Sequence, residues 1–320
     1  MTDPYRSHFG PAIEAFVRRQ RSVGRPYTTS QQKLAAFDRF CAEHHPDAHE
    51  ITRDVAMQWA ERRLGEHVNT LIRRITPVRQ FAKYLNGLGQ TAYVIPTGIP
   101  ARGQRYVPHI YTTQELHAFF QAVDQCPYDP HSPVRHLVVP VLFRVLYCCG
   151  LRSSEVIRLT VDDVDLDIGV LDIRQSKGHK DRRVVLAPDV VDLCRTYDQL
   201  VRKRLSSRTA FFPNHRGEHY GKHFLGYAFH MFWDRAEIGP VSGNPPRVHD
   251  FRHSFCVHRL NQWVREKKDL NAFLPYLSMY LGHEHLSETD YYLHLVPEFF
   301  PILTEATEAR FAALIPEVTP

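Results

Sequence analysis

Little in the sequence suits a secreted or metal-built protein. Its 320 residues hold six cysteines and no Cys-x-x-Cys pair, so neither a disulfide framework nor a zinc ribbon is expected. Cys148 and Cys149 are adjacent within an apolar run and read as reduced thiols. With no secretory leader at the start, a cytoplasmic protein is expected. Long hydrophobic runs are missing too. The stretch from Leu137 to Cys149 carries Arg144 and is too short for a bilayer, so a buried helix is expected. No Gly-rich phosphate loop occurs, and strands do not alternate with helices, which excludes a doubly wound nucleotide-binding fold. No acidic cluster offers the ligands of a two-metal nuclease. Neither sign of charge dominates: 40 Lys and Arg against 35 Asp and Glu give +5, which permits a nucleic-acid partner without demanding one.

What is present is mostly helical periodicity. Ile13, Phe16 and Val17 start one helix, and Leu34, Phe37, Phe40 and Cys41 mark a second. Thr52 caps a third through Val55 and Trp59, and Leu71, Ile75, Val78, Ala82 and Leu85 stripe a fourth. Pro77 either kinks that fourth helix or restarts it. Arg18, Arg19, Arg21, Arg25, Arg73, Arg74, Arg79 and Lys83 decorate these helices, about half of them as plain solvated faces. Pro96, Gly98, Pro100, Gly103 and Pro108, interleaved with Arg102 and Arg105, then read as an extended basic linker. Beyond it, Thr112 or Thr113 caps a helix through Phe119 and Val123. Two short strands at 170–174 and 183–186 flank the turn Ser176-Lys177-Gly178-His179-Lys180. Further helices are expected near 189–204, 221–236, 249–263 and 270–281. Phe300, Leu303, Phe311 and Leu314 mark a last one. The class is mainly α with a small antiparallel β-sheet, divided as a helical domain 1–95, a linker 96–110 and a larger domain 111–320.

The chemistry concentrates late in the chain. In His249-Asp250-Phe251-Arg252-His253, the first histidine and the arginine share a helix face. An imidazole beside a guanidinium suits a phosphate, whose oxygens the planar fork can grip. Leu281-Gly282-His283 lies nine residues before Tyr292, enough chain for a short helix to fold phenol and imidazole together. Gly150-Leu151-Arg152-Ser153-Ser154-Glu155 adds a second arginine. Two arginines, two histidines and a tyrosine are the parts for transferring a phosphodiester onto a phenol oxygen. Forming phenolate at pH 7 takes about 4 kcal/mol. Arg152 and Arg252 at the phosphate offset part of that, and His249 is placed to accept the proton. His215, His219 and His223 are spaced four apart, but Gly217 and Gly221 interrupt a helix there. Neither a metal nor a cofactor is expected.

Gly-Leu-Arg-x-x-Glu, Ser-Lys-Gly in a hairpin, His-x-x-Arg-His, Leu-Gly-His and a late tyrosine, in this order, resemble the tyrosine recombinase (phage integrase) family from about residue 110 to 296. The resemblance implies a site-specific DNA recombinase that cleaves one strand at a time through a 3′-phosphotyrosyl ester, which stores the bond energy and needs no ATP. It implies a SAM-like core-binding domain and a catalytic domain that clamp duplex DNA, in a homotetramer on paired sites. It favours Tyr292 over Tyr291, since the first tyrosine occupies an apolar position of the pattern and His294 follows the second. It gives Lys177 the role of general acid, with Lys180 as rival. His283 would donate to a nonbridging oxygen and Glu155 would hold the geometry. The interval from Arg252 to His283 is longer than the family's usual one, with the excess expected around Trp263 to Leu274 as loop or helix. Three other readings stay open: a non-catalytic DNA-binding protein on this scaffold, a metal-dependent nuclease, and a relaxing topoisomerase with the same chemistry.

Overall fold

Four helices make the first unit of the computed structural model: α1 (Gly10–Ser22), α2 (Thr28–His44), α3 (Arg53–Ala60) and α4 (Val68–Gly87). The structure describes residues 5–100, 106–174, 181–239, 241 and 244–293. The chain divides into Met1–Tyr106 and Val107–Pro320. Apolar positions three and four apart bring Ile13, Phe16, Leu34, Phe37, Trp59, Ile75 and Phe81 into one core. The Thr52 hydroxyl caps α3, accepting from the Val55 amide at 3.3 Å. Pro77 does not restart a helix, because α4 runs through it. Arg18, Arg19, Arg21, Arg25, Arg73 and Lys83 are exposed, but two of the expected surface cations turn inward. Arg74 is buried. Arg79 donates to the carbonyls of Ile95, Pro96 and Ile99 at 2.7, 2.9 and 3.0 Å. The expected linker is therefore folded onto α4 at its start, since those carbonyls satisfy a half-buried guanidinium; residues 101–105 lie outside the described residues.

The second unit begins where the Tyr111 amide donates to Ser254 Oγ at 2.8 Å. Thr112 and Glu115 form a capping box for α5 (Thr113–Asp124). The buried helix is α6 (Arg135–Cys148), followed by α7 (Ser153–Arg158). Three antiparallel strands follow in the order β1 (Val164–Asp165), β2 (Val170–Ile173) and β3 (Arg182–Val185). Val170 faces Val185 and Ile173 faces Arg182. The two-residue β1 is too short to show a periodicity and was not expected; the turn at 175–180 lies outside the described residues. Next come α8 (Pro188–Arg202), α9 (Phe224–Arg235), α10 (Asp250–Arg265), α11 (Leu270–Leu281) and α12 (Ser287–Leu293). Phe119, Phe143, Phe229 and Phe251 pack in the main core. Phe255, Leu260, Leu277, Leu281 and Tyr292 join α10, α11 and α12 in a smaller one.

The long interval before His283 is helix rather than loop. Only residues 266–269 separate α10 from α11, with Lys267 at φ +54° and the Lys268 amide donating to the Trp263 carbonyl at 2.9 Å. The three spaced histidines share no helix, because α9 starts at Phe224, Gly217 has φ +81°, and His219 Nδ1 faces the Ile157 carbonyl at 2.8 Å. Among the described residues no three His, Cys, Asp or Glu are grouped to hold a metal, and no helix is long and apolar enough to cross a membrane. The expected last helix, beyond residue 293, lies outside the described residues.

Candidate active site

The end of α11 gathers the cations. The last carbonyls of a helix have no amide partners and carry the negative end of its dipole. Here three consecutive ones each take a different arginine. Arg182 Nε donates to the Tyr280 carbonyl at 2.7 Å, Arg252 Nη2 to Leu281 at 2.7 Å, and Arg152 Nη2 to Gly282 at 2.9 Å. Gly282 closes the helix with φ +66°, and a Cβ there would press on the Arg182 side chain at 3.0–3.2 Å. Glycine thus serves both the left-handed turn and the close guanidinium.

Each arginine reaches this point for a local reason. Gly150, at φ +56°, lies where a Cβ would meet Phe255 at 2.5 Å, and it turns the chain so that Arg152 precedes α7. Glu155 Oε2 accepts from the Arg152 amide at 2.9 Å and Oε1 from its guanidinium at 2.8 Å. The same carboxylate takes a fork from Arg182 at 3.0 and 2.9 Å. Burial alone would raise the Glu155 pKa, but hydrogen bonds and charge from Arg182, then Arg152, outweigh it and hold the carboxyl at about 2. Arg252, in the first turn of α10, is 2% exposed and donates its other nitrogen to the Gly150 carbonyl at 2.9 Å. Among the described residues no carboxylate pairs with it. Burial, and then the charge of Arg152, lower its pKa to about 10, leaving it a cation.

Three imidazoles stand beside this cradle. His249, just before α10, is open to solvent on one side and meets His253 edge-on, with ring centroids 4.8 Å apart. His253 Nδ1 and the Tyr292 hydroxyl are 2.9 Å apart. His283 lies nearly parallel to the Tyr292 ring at 6.1 Å, its Nδ1 2.7 Å from Thr289 Oγ1. The protein packed around each ring, and then neighbouring positive charge or imidazole, pull His249 down to about 4 and His253 and His283 to about 3. All three are neutral at pH 7 and can each offer one N–H and one lone pair. Tyr292 is 4% exposed, and burial raises its phenol above the usual range.

The structure brings Arg152, His249, Arg252, His283 and Tyr292 to one region, while Lys177, Lys180 and His294 lie outside the described residues. Tyr291 packs half-buried on the small core, its ring 5.8 Å from that of Tyr292. Sequence reasoning missed Arg182, His253 and Thr289. Period-two alternation puts Arg182 on the same strand face as buried Val184, and His253 sits one helical turn after His249, so both signals were present. Nothing in the pattern pointed to Thr289.

The mainly helical fold with its small sheet thus sets converging guanidiniums, which suit an anionic phosphate, beside a buried phenol. The chain belongs to the phage integrase family, which residues 111–298 match, and it is a tyrosine-type site-specific DNA recombinase. It is 33% identical over 287 residues to the putative integrase/recombinase y4rE of Sinorhizobium fredii, covering 89% of this chain and 91% of the relative. The tyrosine recombinase XerD of Pseudomonas putida is 28% identical over 269 residues, covering 82% and 84%. In fold the chain is similar to the XerH recombinase on palindromic difH in a post-cleavage complex, with TM-score 0.68, 18% identity, and 94% and 84% covered. A lambda integrase (75–356) dimer on a COC′ core site gives TM-score 0.65, 13% identity, and 88% and 94% covered.

Proposed function

We propose that this protein cuts and rejoins duplex DNA one strand at a time, with Tyr292 holding the 3′ phosphate as an ester while a 5′ hydroxyl leaves. The carrying observation is a phenol among neutral imidazoles beside an over-positive cradle: among the described residues Arg152, Arg182 and Arg252 converge on one helix end with one paired carboxylate, that of Glu155. Two positive charges are left for a phosphorane whose oxygens carry about two negative ones. In this scheme Arg152 and Arg252 grip the nonbridging oxygens and His249 and His283 hydrogen-bond to them. Glu155 fixes the arginines, and Lys177, or its rival Lys180, protonates the departing 5′ oxygen. The ester conserves the bond energy, so neither ATP nor a metal takes part, and cleavage should persist in excess chelator.

Residues 1–95 would act as a SAM-like core-binding domain whose exposed Arg18, Arg19, Arg21, Arg25 and Arg73 meet backbone phosphates. Residues 111–320 would form the catalytic domain, working in the cytoplasm as a homotetramer on paired sites. A lambda integrase tetramer on a Holliday junction has a similar fold, at TM-score 0.63, which supports that assembly. The test is a nicked suicide substrate. Tyr292→Phe should bind DNA and give no covalent adduct, and Tyr291→Phe should keep the adduct. An adduct in Tyr292→Phe overturns the assignment.

A further inference from the structure

Among the described residues, the Tyr292 hydroxyl has His253 Nδ1 at 2.9 Å and the thiol of Cys256 as hydrogen-bonding neighbours. We infer that His253, rather than His249, takes the phenolic proton as Tyr292 attacks; this rests on Tyr292 being the nucleophile. The geometry is already that of a proton transfer. His249 is the N-cap residue of α10, four residues before His253, so the first imidazole stands at the outer edge while the second reaches the phenol. His283 instead lies nearly parallel to the Tyr292 ring at 6.1 Å, with its Nδ1 on Thr289, so among the described residues His253 is the imidazole with a ring nitrogen in hydrogen-bond contact with the reacting oxygen.

The step balances without a further reactant. The Tyr292 O–H bond breaks and its proton goes to His253 Nδ1, while the freed oxygen pair forms the O–P bond. The P–O5′ bond breaks with its electron pair, and the 5′ oxygen takes a proton from the acid. On rejoining, the imidazolium returns its proton to the leaving phenolate. Facing His253 are Arg247, His249 and Arg252 from α10 and its approach, His283 from the end of α11, and Tyr292 from α12. Burial and these neighbours keep it neutral in the DNA-free protein, with a lone pair to accept the phenol proton. An arriving phosphate brings the negative charge that opposes the arginines and makes the imidazolium easier to form.

His253→Asn leaves a polar acceptor at that place with no useful basicity. Single-turnover cleavage of the nicked substrate should fall about 10²–10³-fold at pH 7, with DNA binding unchanged. The variant's rate should then climb steadily with pH above 7, as phenol ionisation takes over. A fluorinated tyrosine of lower phenol pKa at position 292 should restore most of the loss in His253→Asn and change the parent enzyme little. His253→Gln serves the same three readouts if asparagine destabilises α10. Cleavage within about threefold of the parent, faster cleavage (a resting latch), or a loss with neither pH slope nor fluorotyrosine rescue (a packing role) overturns the inference. If Tyr292→Phe still forms adduct, the nucleophile assignment itself fails. If it forms none while His253→Asn cleaves normally, only the role of His253 falls.

Discussion

Arg74 in the first unit and Arg252 in the second are both buried, at 5% and 2% exposure, and they are held in opposite ways. Arg74 pairs with Glu66 through two nitrogens at 3.0 and 2.9 Å, donates to the carbonyls of Trp59 and Glu61, and lies 4.8 Å from the centre of the Trp59 ring. Its charge is cancelled where it sits. Among the described residues Arg252 has carbonyls alone, from Gly150 and Leu281. Dipoles steady a guanidinium without cancelling its charge, and the apolar surroundings strengthen its pull on an anion. A buried cation with a carboxylate is part of the scaffold. One held only by carbonyls is prepared for a ligand.

Substitution separates the two cases, and the largest expected effect falls on the scaffold pair. Arg74→Met leaves the Glu66 carboxylate buried without its partner, which costs about 3–5 kcal/mol of stability. Urea unfolding reads this directly, and a loss below about 1 kcal/mol would make the pair incidental. Arg252→Met should do the reverse. It removes a desolvated charge while stranding two carbonyls, so stability should move by only about 1–2 kcal/mol. Cleavage per folded molecule should fall about 10²–10³-fold, or about 3–4 kcal/mol at the barrier. The contrast collapses if Arg252→Met unfolds like Arg74→Met while its folded fraction cleaves normally.

Acid sharpens the comparison with an effect of about 3 kcal/mol, from Glu155 lying at about 2 rather than near 4.5. A depressed carboxyl stabilises the fold above its unfolded pKa and loses that contribution as pH falls through the folded value, here from about 4.5 down to about 2. His253 and His283 act earlier. Their pKa values are lowered from 6.5 to about 3, so the unfolded chain binds protons that the folded one refuses, and stability declines below pH 6.5. Glu66, lowered chiefly by its Arg74 hydrogen bond, contributes to the first unit only in the carboxylate range. Unfolding free energies at pH 7, 5 and 3 should therefore show a loss near Trp233 and Trp263 before one near Trp59. Simultaneous loss would deny the imidazoles this role.

The sequence disclosed the helices through their apolar periods, and the arginine, histidine and tyrosine motifs through their order. It did not disclose what binds the arginines. Tyr280, Leu281 and Gly282 act through carbonyls that every residue possesses, so no side-chain pattern marks which helix end will face a cation. For the same reason nothing in the strand expected at 183–186 marks Arg182, which lies just ahead of it, although it opens β3 and its guanidinium completes the pairing of Glu155. The imidazole partner of Tyr292 was obscured differently. His249 and His253 are both within the motif, and only the path of α12 decides which one the phenol meets.

The smallest predicted effect tests whether the second unit's polar groups are set for a ligand as finely as its charges. Thr289 is fully buried, and its hydroxyl lies 2.7 Å from His283 Nδ1. A neutral imidazole has one N–H, so a hydroxyl donating to Nδ1 places that proton on Nε2, free to donate to a phosphate oxygen. Thr289→Val keeps the shape and removes the hydroxyl, at about 1 kcal/mol for one hydrogen bond. Cleavage should slow about fivefold with DNA binding unchanged, and Thr289→Ser should recover it. Nitrogen chemical shifts of His283 should report Nε2–H in the parent and a mixture of tautomers in Thr289→Val. Full-rate cleavage by Thr289→Val, or a parent His283 protonated on Nδ1, would leave the threonine as packing and confine the preparation for phosphate to the arginines.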